Sequence, residues 1–246
     1  MKTEELEQTL VLIKPDALKN SLTGYLLSQL AEFHTGLHFA GAKVVRVSRM
    51  LAEVHYAEHR GKAFYPSLLE YIMGHLHYKD AEWRQRVIAI VYQVPHAISL
   101  IRDVAGPTDP HVARSDKPGS IRALGTLVPI KDGAGKVVSD RMDNLIHASA
   151  NPADAEREIK LWFVPGDIPP LMQLYATEEN DRFYYFKDGR LGFDYEPGSD
   201  CFLAPGHRAW ASDLDILRRL RRGEAVPDPL ESVVAKYLIN DPRQEA

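Results

Sequence analysis

In the stretch DRMDNLIHASANPADAEREIKLWF (140–163), His147 follows a short apolar run and precedes Ala148, Ser149 and Ala150, three small residues that leave its ring uncrowded. Asn151-Pro152 then reads as a helix start. A helix N-terminus offers free backbone N–H groups and the positive end of its dipole, which favours a negative group such as a phosphate nearby. Glu158 falls about two turns into that helix and can turn inward toward the imidazole. A carboxylate accepting one ring N–H fixes the tautomer and leaves the other nitrogen as a nucleophile. On composition alone, one histidine of ten at a strand end more often serves structure than chemistry.

Three cations stand where they could converge. Lys14 is at a strand end, Arg102 near the end of a helix, and Arg122 just after a turn-rich loop. Polyphosphate calls for such charges, and arginine matches phosphate oxygens with two prongs. Neither GxxxxGK[ST] nor GxGxxG occurs, so the usual glycine-rich phosphate cradles are absent. Taken singly, such a cation is more often a solvated surface charge than a phosphate ligand. Tyr56, Phe64 and Tyr65 sit on or beside two short helices, where a ring can stack on a base or simply fill core.

The elements that must position these groups follow from apolar patterning. Thr9–Ile13 is a buried strand that ends at Lys14-Pro15-Asp16. Leu22–Phe33 has helical periodicity with Gly36 as its C-terminal cap. Leu37–Val47 is a second strand, and LAEVHYAEHRG and PSLLEYIMG are two short helices closed by glycine. Val87–Val94 is a third strand, after which Pro95 opens a helix that closes at Gly106. Residues 106–120 have turn composition and no periodicity. Two β-prone runs flank Asp132-Gly133-Ala134-Gly135 as a hairpin, a short strand through Leu145-Ile146 leads to His147, and a helix spans Ala153–Phe163. This order predicts an α/β (α+β) sandwich with helices covering a mixed or antiparallel sheet, its first half resembling a split βαβ unit.

After residue 165 the character changes. RFYYFKDGRLGFDY is a hairpin turning at Asp188-Gly189, SDLDILRRLRRG an amphipathic helix capped by Ser212, and DPLESVVAKYLI another helix. The arginines of RRLRRG lie beside Asp213 and Asp215, which predicts a solvated face rather than a nucleic-acid site. At 246 residues, 45% hydrophobic and with a net charge of −4, the chain can bury a core and lacks the basic excess of a general nucleic-acid or membrane binder. Its one cysteine, Cys201, excludes an internal disulfide and is expected to pack as a small hydrophobe in a reducing compartment. The polar start MKTEELEQ does not read as a signal peptide, so none is expected, and no apolar run approaches a bilayer span. The expected location is cytoplasmic.

In order along the chain, TLVLIKPDAL, HYAEHRGKAFYPSLLEYI, KPGSIR and NLIHAS followed by AEREIKLWF resemble the nucleoside diphosphate kinase family over roughly residues 8–165. The resemblance implies a ferredoxin-like βαββαβ core for residues 1–165, with residues 166–246 as a C-terminal extension. It implies an enzyme that moves the terminal phosphate of ATP or another nucleoside triphosphate to a nucleoside diphosphate. The route is ping-pong through a phosphohistidine, with His147 in that place. Glu158 falls where the family orients the ring, and Ser149 where it hydrogen-bonds that glutamate. Lys14 and Tyr56 match residues near the transferring phosphate. Arg102, Thr108 and Arg122 match groups holding the diphosphate, Asn144 a ligand of the sugar 3′-hydroxyl, and Phe64 the ring that stacks on the base. Magnesium would bridge the phosphates, bound mainly by the nucleotide, so no direct metal ligand is expected in the protein. A homo-oligomer is the expected assembly.

The chain departs from the family pattern in places. Ala150 replaces a usual acidic residue, and insertions fall at about 74–86, 109–116 and 124–140. The alternative reading is a non-catalytic nucleotide-binding regulatory module derived from the same fold. A histidine phosphatase is a third, for which the matched motifs offer no spare acid or base to activate water.

Overall fold

A computed structural model describes residues 5–131 and 133–239. Its first strand, β1 (Leu6–Ile13), leads into the short helix α1 (Pro15–Lys19), then α2 (Thr23–Gln29), α3 (Glu32–Thr35) and β2 (His38–Val45). Helices α4 (Arg49–His55) and α5 (Tyr65–Ile72) follow, then β3 (Val87–Pro95), α6 (Ala97–Ala105) and α7 (Pro110–Asp116). A hairpin of β4 (Thr126–Lys131) and β5 (Val137–Asp143) precedes β6 (Ile146–Ala148) and α8 (Pro152–Trp162). The main sheet has the order β2-β3-β1-β6, and every pairing in it is antiparallel. That settles the sheet as antiparallel, with the ferredoxin-like core the patterning and the resemblance called for.

Both faces of the sheet are covered. Leu10 and Leu12 point to one face, with Leu51 and Ala52 of α4, Leu69 and Ile72 of α5, and Ile159 and Trp162 of α8. Val11 and Ile13 point to the other, with Leu26 of α2 and Ala97 and Ile101 of α6. Alternate side chains of one strand thus enter two cores, so TLVLI reads as a continuous apolar run rather than as an alternation. Burying such a side chain contributes about 1.5–3 kcal/mol, which makes β1 the strand the layers are built on.

Several expected boundaries move, each for a local reason. Leu22–Phe33 is two helices, because Ala31 is extended and breaks the run; Gly36 closes the second in the left-handed conformation (φ 73°). Pro95 ends β3 instead of opening α6, and His96 turns the chain at φ 60°. The loop 106–120 contains α7, where Asp109 Oδ1 accepts from His111 N at 2.7 Å and Pro110 occupies the first turn. Two turns of helix are too few to show a period. Ser212 lies inside its helix, not at the cap, and Cys201 is exposed rather than packed. Asp132 of the expected hairpin turn lies outside the described residues.

Beyond α8 come β7 (Thr177–Glu179), β8 (Tyr184–Lys187), β9 (Arg190–Gly192), β10 (Asp200–Leu203), β11 (Arg208–Trp210), α9 (Ala211–Arg221) and α10 (Leu230–Val234). They enclose a separate core that includes Tyr184, Leu203, Leu214 and Val234. The predicted turn at Asp188-Gly189 joins β8 to β9. Trp210 ties this unit to the main body: its ring enters the first core and its Nε1 donates to the Phe163 carbonyl at 2.7 Å. The arginines of α9 meet acidic partners, Arg218 with Glu178 at 2.7 Å and Arg219 with Asp215 at 4.0 Å, as a solvated face does. No helix among the described residues is long and apolar enough to cross a membrane.

Candidate active site

Where β1 ends, the chain is stitched to the segment that carries His147. Lys14 N donates to the Leu145 carbonyl, and Leu145 N donates to Asp16 Oδ2, each at 2.9 Å. Leu145 takes a left-handed backbone (φ 69°) to make this exchange, which turns the chain into β6. On that strand Leu12 pairs with His147, so the histidine is presented from a sheet buried on both faces. Asn151 caps α8 by accepting from Asp154 N at 2.9 Å, and the helix brings Glu158 back over the strand.

His147 Nε2 lies 2.9 Å from Glu158 Oε2, and Ser149 Oγ donates to the same oxygen at 2.7 Å. Burial raises the Glu158 carboxyl, but the His147 charge and these hydrogen bonds outweigh it and hold it at about 2. An ionised Glu158 accepts from an Nε2–H, which leaves the lone pair of the ring on Nδ1. Among the described residues no hydrogen bond occupies that nitrogen.

The ring is less open than its small neighbours suggest. His55 packs against it edge to face, with ring centroids 4.7 Å apart. Trp162 Nε1 donates to His55 Nδ1 at 3.2 Å, which puts the His55 proton on Nε2, a buried atom without a partner. Burial, helped by the His147 charge, lowers the His55 pKa to about 3, so this ring stays neutral. The nitrogens and oxygens of His55, His147 and Glu158 lie within 4.8 Å of one another. Trp162 occupies one His55 nitrogen and Glu158 one nitrogen of His147, which leaves His55 Nε2 and His147 Nδ1 without hydrogen-bond partners among the described residues. His55 went unnoticed in the sequence, although it adjoins Tyr56.

A cavity of about 380 Å³ opens from His147. Lys14, Arg102 and Arg122 line it, and so do Tyr56, Phe64, Thr108, Asn144 and Glu158; Ser149 lies behind Glu158. Lys14 Nζ donates to Asn144 Oδ1 at 2.7 Å, and Asn144 Nδ2 donates to the Thr108 carbonyl at 2.9 Å. Burial brings Lys14 down to about 8, with Asp16 opposing and Arg122 assisting. Arg122 is held by the Gly106 and Ile146 carbonyls at 2.9 and 3.2 Å, while its Nε is buried without a partner. Burial and the nearby Arg102 bring it to about 10, so it is charged at neutral pH. Gly106 has φ 80°, and a Cβ there would lie 2.2 Å from Ser120 Oγ, so the carbonyl that steadies Arg122 depends on glycine. The Tyr56 hydroxyl is buried without a partner, and burial raises its pKa. Phe64 is 37% exposed with its ring on the cavity wall, whereas Tyr65 packs against the core.

The sequence did not foresee the far wall. Ile130, Asp140, Arg141 and Met142 of the β4–β5 hairpin all line the cavity. A cavity with clustered cations, unpartnered buried donors and an exposed ring suits a polyanion carrying a flat aromatic group.

The family model for nucleoside diphosphate kinase matches residues 7–168. A nucleoside diphosphate kinase of Thermococcus kodakarensis is 34% identical over 201 residues, covering 82% of this chain and 98% of its own. That span is longer than residues 1–165, so it takes in part of the extension. One from Pyrococcus abyssi is 40% identical over 168 residues, covering 68% and 91%. Among solved structures, the Aquifex aeolicus enzyme superposes with a TM-score of 0.54 at 29% identity, over 67% of this chain and 100% of that one. A transition-state mimic from Borrelia burgdorferi with bound vanadate and ADP gives 0.51 at 28%, over 69% and 94%.

Proposed function

The chain belongs to the nucleoside diphosphate kinase family, and we propose that His147 Nδ1 carries the phosphoryl group between its two nucleotide substrates. It is an enzyme that transfers the terminal phosphate of a nucleoside triphosphate to a nucleoside diphosphate. The observation that carries the assignment to His147 is its Nε2 contact with Glu158, which leaves Nδ1 as the nucleophile beside a cation-lined cavity. In the first half-reaction Nδ1 forms a bond to the γ-phosphorus while the bond to the β,γ-bridging oxygen breaks and the diphosphate leaves. In the second, a terminal oxygen of the acceptor diphosphate takes the phosphorus from Nδ1.

Phosphoryl transfer asks the protein mainly for positioning and charge neutralisation. Lys14, Arg102 and Arg122 supply the charge, and the buried Tyr56 hydroxyl supplies a donor. Asn144 and Thr108 hold the sugar and phosphate side, and Phe64 stacks on the base, a contact any base can make. Ser149 and Glu158 orient the ring. The donor set fits a magnesium ion carried by the phosphates: hard cations want oxygen ligands, and the carboxylate nearest His147 is already engaged. That ion would neutralise charge on the phosphate oxygens. A cytoplasmic location and a homo-oligomer are also proposed, the latter tested by light scattering on the purified chain.

The test of the central reading is the intact mass after brief exposure to Mg-ATP, with His147→Ala in parallel. One added phosphate, absent from the variant and removed by GDP with formation of GTP, supports it. Nucleotide binding without any added phosphate would make the chain a regulatory module instead.

A further inference from the structure

The segment inserted in the family pattern at about 74–86 meets the end of β5, the strand that returns from the insertion at about 124–140, beside the active-site cavity. From the first, His77 Nε2 reaches Asp143 Oδ2 at 2.9 Å. From β5, Arg141 grips the same carboxylate side-on, with Nε to Oδ1 at 2.6 Å and Nη2 to Oδ2 at 2.9 Å. The His77, Asp143 and Arg141 side chains are only 6%, 11% and 19% exposed. Burial pushes the Asp143 carboxyl up, yet the His77 and Arg141 hydrogen bonds outweigh it and hold it below the usual carboxylate range. Asp143 is therefore ionised at neutral pH, and the guanidinium has a permanent counter-ion.

A guanidinium has five N–H donors, and this carboxylate takes two of its nitrogens. Among the described residues no other acceptor meets Arg141, and its remaining nitrogen is not sealed in the interior. The side chain lines the cavity, three residues before Asn144 and on the strand that runs into it. An arginine already fixed by a buried carboxylate has little rotamer freedom left to lose when its free edge meets a ligand. A side chain needed only to tie the insertions together would not have to face the cavity.

We propose that Arg141 is a nucleotide-binding residue, donating its free N–H groups to oxygen atoms of the bound nucleoside di- or triphosphate, with His77 and Asp143 as its positioning residues. The proposal rests on the kinase reading above. It makes the inserted hairpin a working wall of the site.

The experiment compares Arg141→Met and Arg141→Lys with the unaltered enzyme in two assays. One measures steady-state KM and kcat with nucleoside diphosphates as acceptors. The other measures labelling of His147 by phosphoramidate, a phosphoryl donor without a nucleoside. Loss of a charge-assisted hydrogen bond should raise KM roughly tenfold or more with a much smaller change in kcat. The ratio of ATP-driven to phosphoramidate-driven labelling should fall by a similar factor. Arg141→Lys can keep the ion pair to Asp143, so it serves if the methionine variant fails to fold. A folded variant with unchanged KM, or with equal losses from both donors, would overturn the proposal. No labelling of the unaltered enzyme by ATP would overturn the kinase reading and this proposal with it.

Discussion

His147 Nε2 and Glu158 Oε2 lie 2.9 Å apart, joined across the turn from β6 into α8. The carboxylate holds the proton on Nε2, and Ser149 holds the carboxylate. Glu158→Gln can turn its amide N–H₂ toward the ring and favour the wrong tautomer. The rate of phosphohistidine formation should fall ~10²-fold or more, by analogy with other carboxylate-oriented histidines. Nucleotide affinity should change little. Rapid-quench labelling together with equilibrium binding separates the two, and a wild-type labelling rate would refute the orienting role.

Activity should fall as pH rises through about 8. Burial brings Lys14 down to about 8 from its ordinary 10.5, and the charged form is the one that meets phosphate. Because kcat/KM reports the free enzyme, its alkaline limb should carry this value. The sign for stability is opposite. Between about 8 and 10.5 the native state has released a proton that the unfolded chain still binds, so this group adds stability as pH rises. Loss of kcat/KM without loss of the folded signal over that range is the expected pattern.

Phe64→Ala should raise KM for purine and pyrimidine diphosphates by similar factors. Stacking of one base on an aromatic ring is worth roughly 1–3 kcal/mol, or about 5- to 150-fold. The ring is part exposed and flanked by Lys62 and His59, so its loss removes little core. A rise confined to one base would mean that hydrogen bonding, not stacking, selects the nucleotide.

The C-terminal unit offers a stability test. Lys236 Nζ meets Asp213 Oδ2 at 2.8 Å, with the lysine side chain 0% exposed. Asp213→Ala strands a buried ammonium, which costs roughly 3–5 kcal/mol, whereas replacing both partners by apolar residues of similar volume is about neutral. Urea denaturation of the single and double variants should show that asymmetry. A cost below about 1 kcal/mol for the single variant would mean that water reaches Lys236.

The sequence by itself determined the layered α+β plan, because strands buried on both faces must be continuous apolar runs, and VIAIVYQV and TLVLI are such runs. His147 with Glu158 was also legible, since a strand end and the following helix lie close along the chain. Lys14, Arg102, Arg122, Tyr56 and Phe64 stood out by residue type and place, and the resemblance added Thr108 and Asn144; all of them line the cavity. What is set by short segments or distant contacts was not legible. Helix α7 is too short to show a period, and Pro95 could close a strand as well as open a helix. His55 needed Trp162, 107 residues away, to fix its tautomer, and Arg141 needed His77 and Asp143 to hold it at the cavity wall. Local propensity and patterning act within a few residues, so they carry no information about which distant segments will meet. Only the tertiary structure, by bringing His77 to Asp143 and Arg141 to the cavity wall, decided what surrounds the histidine.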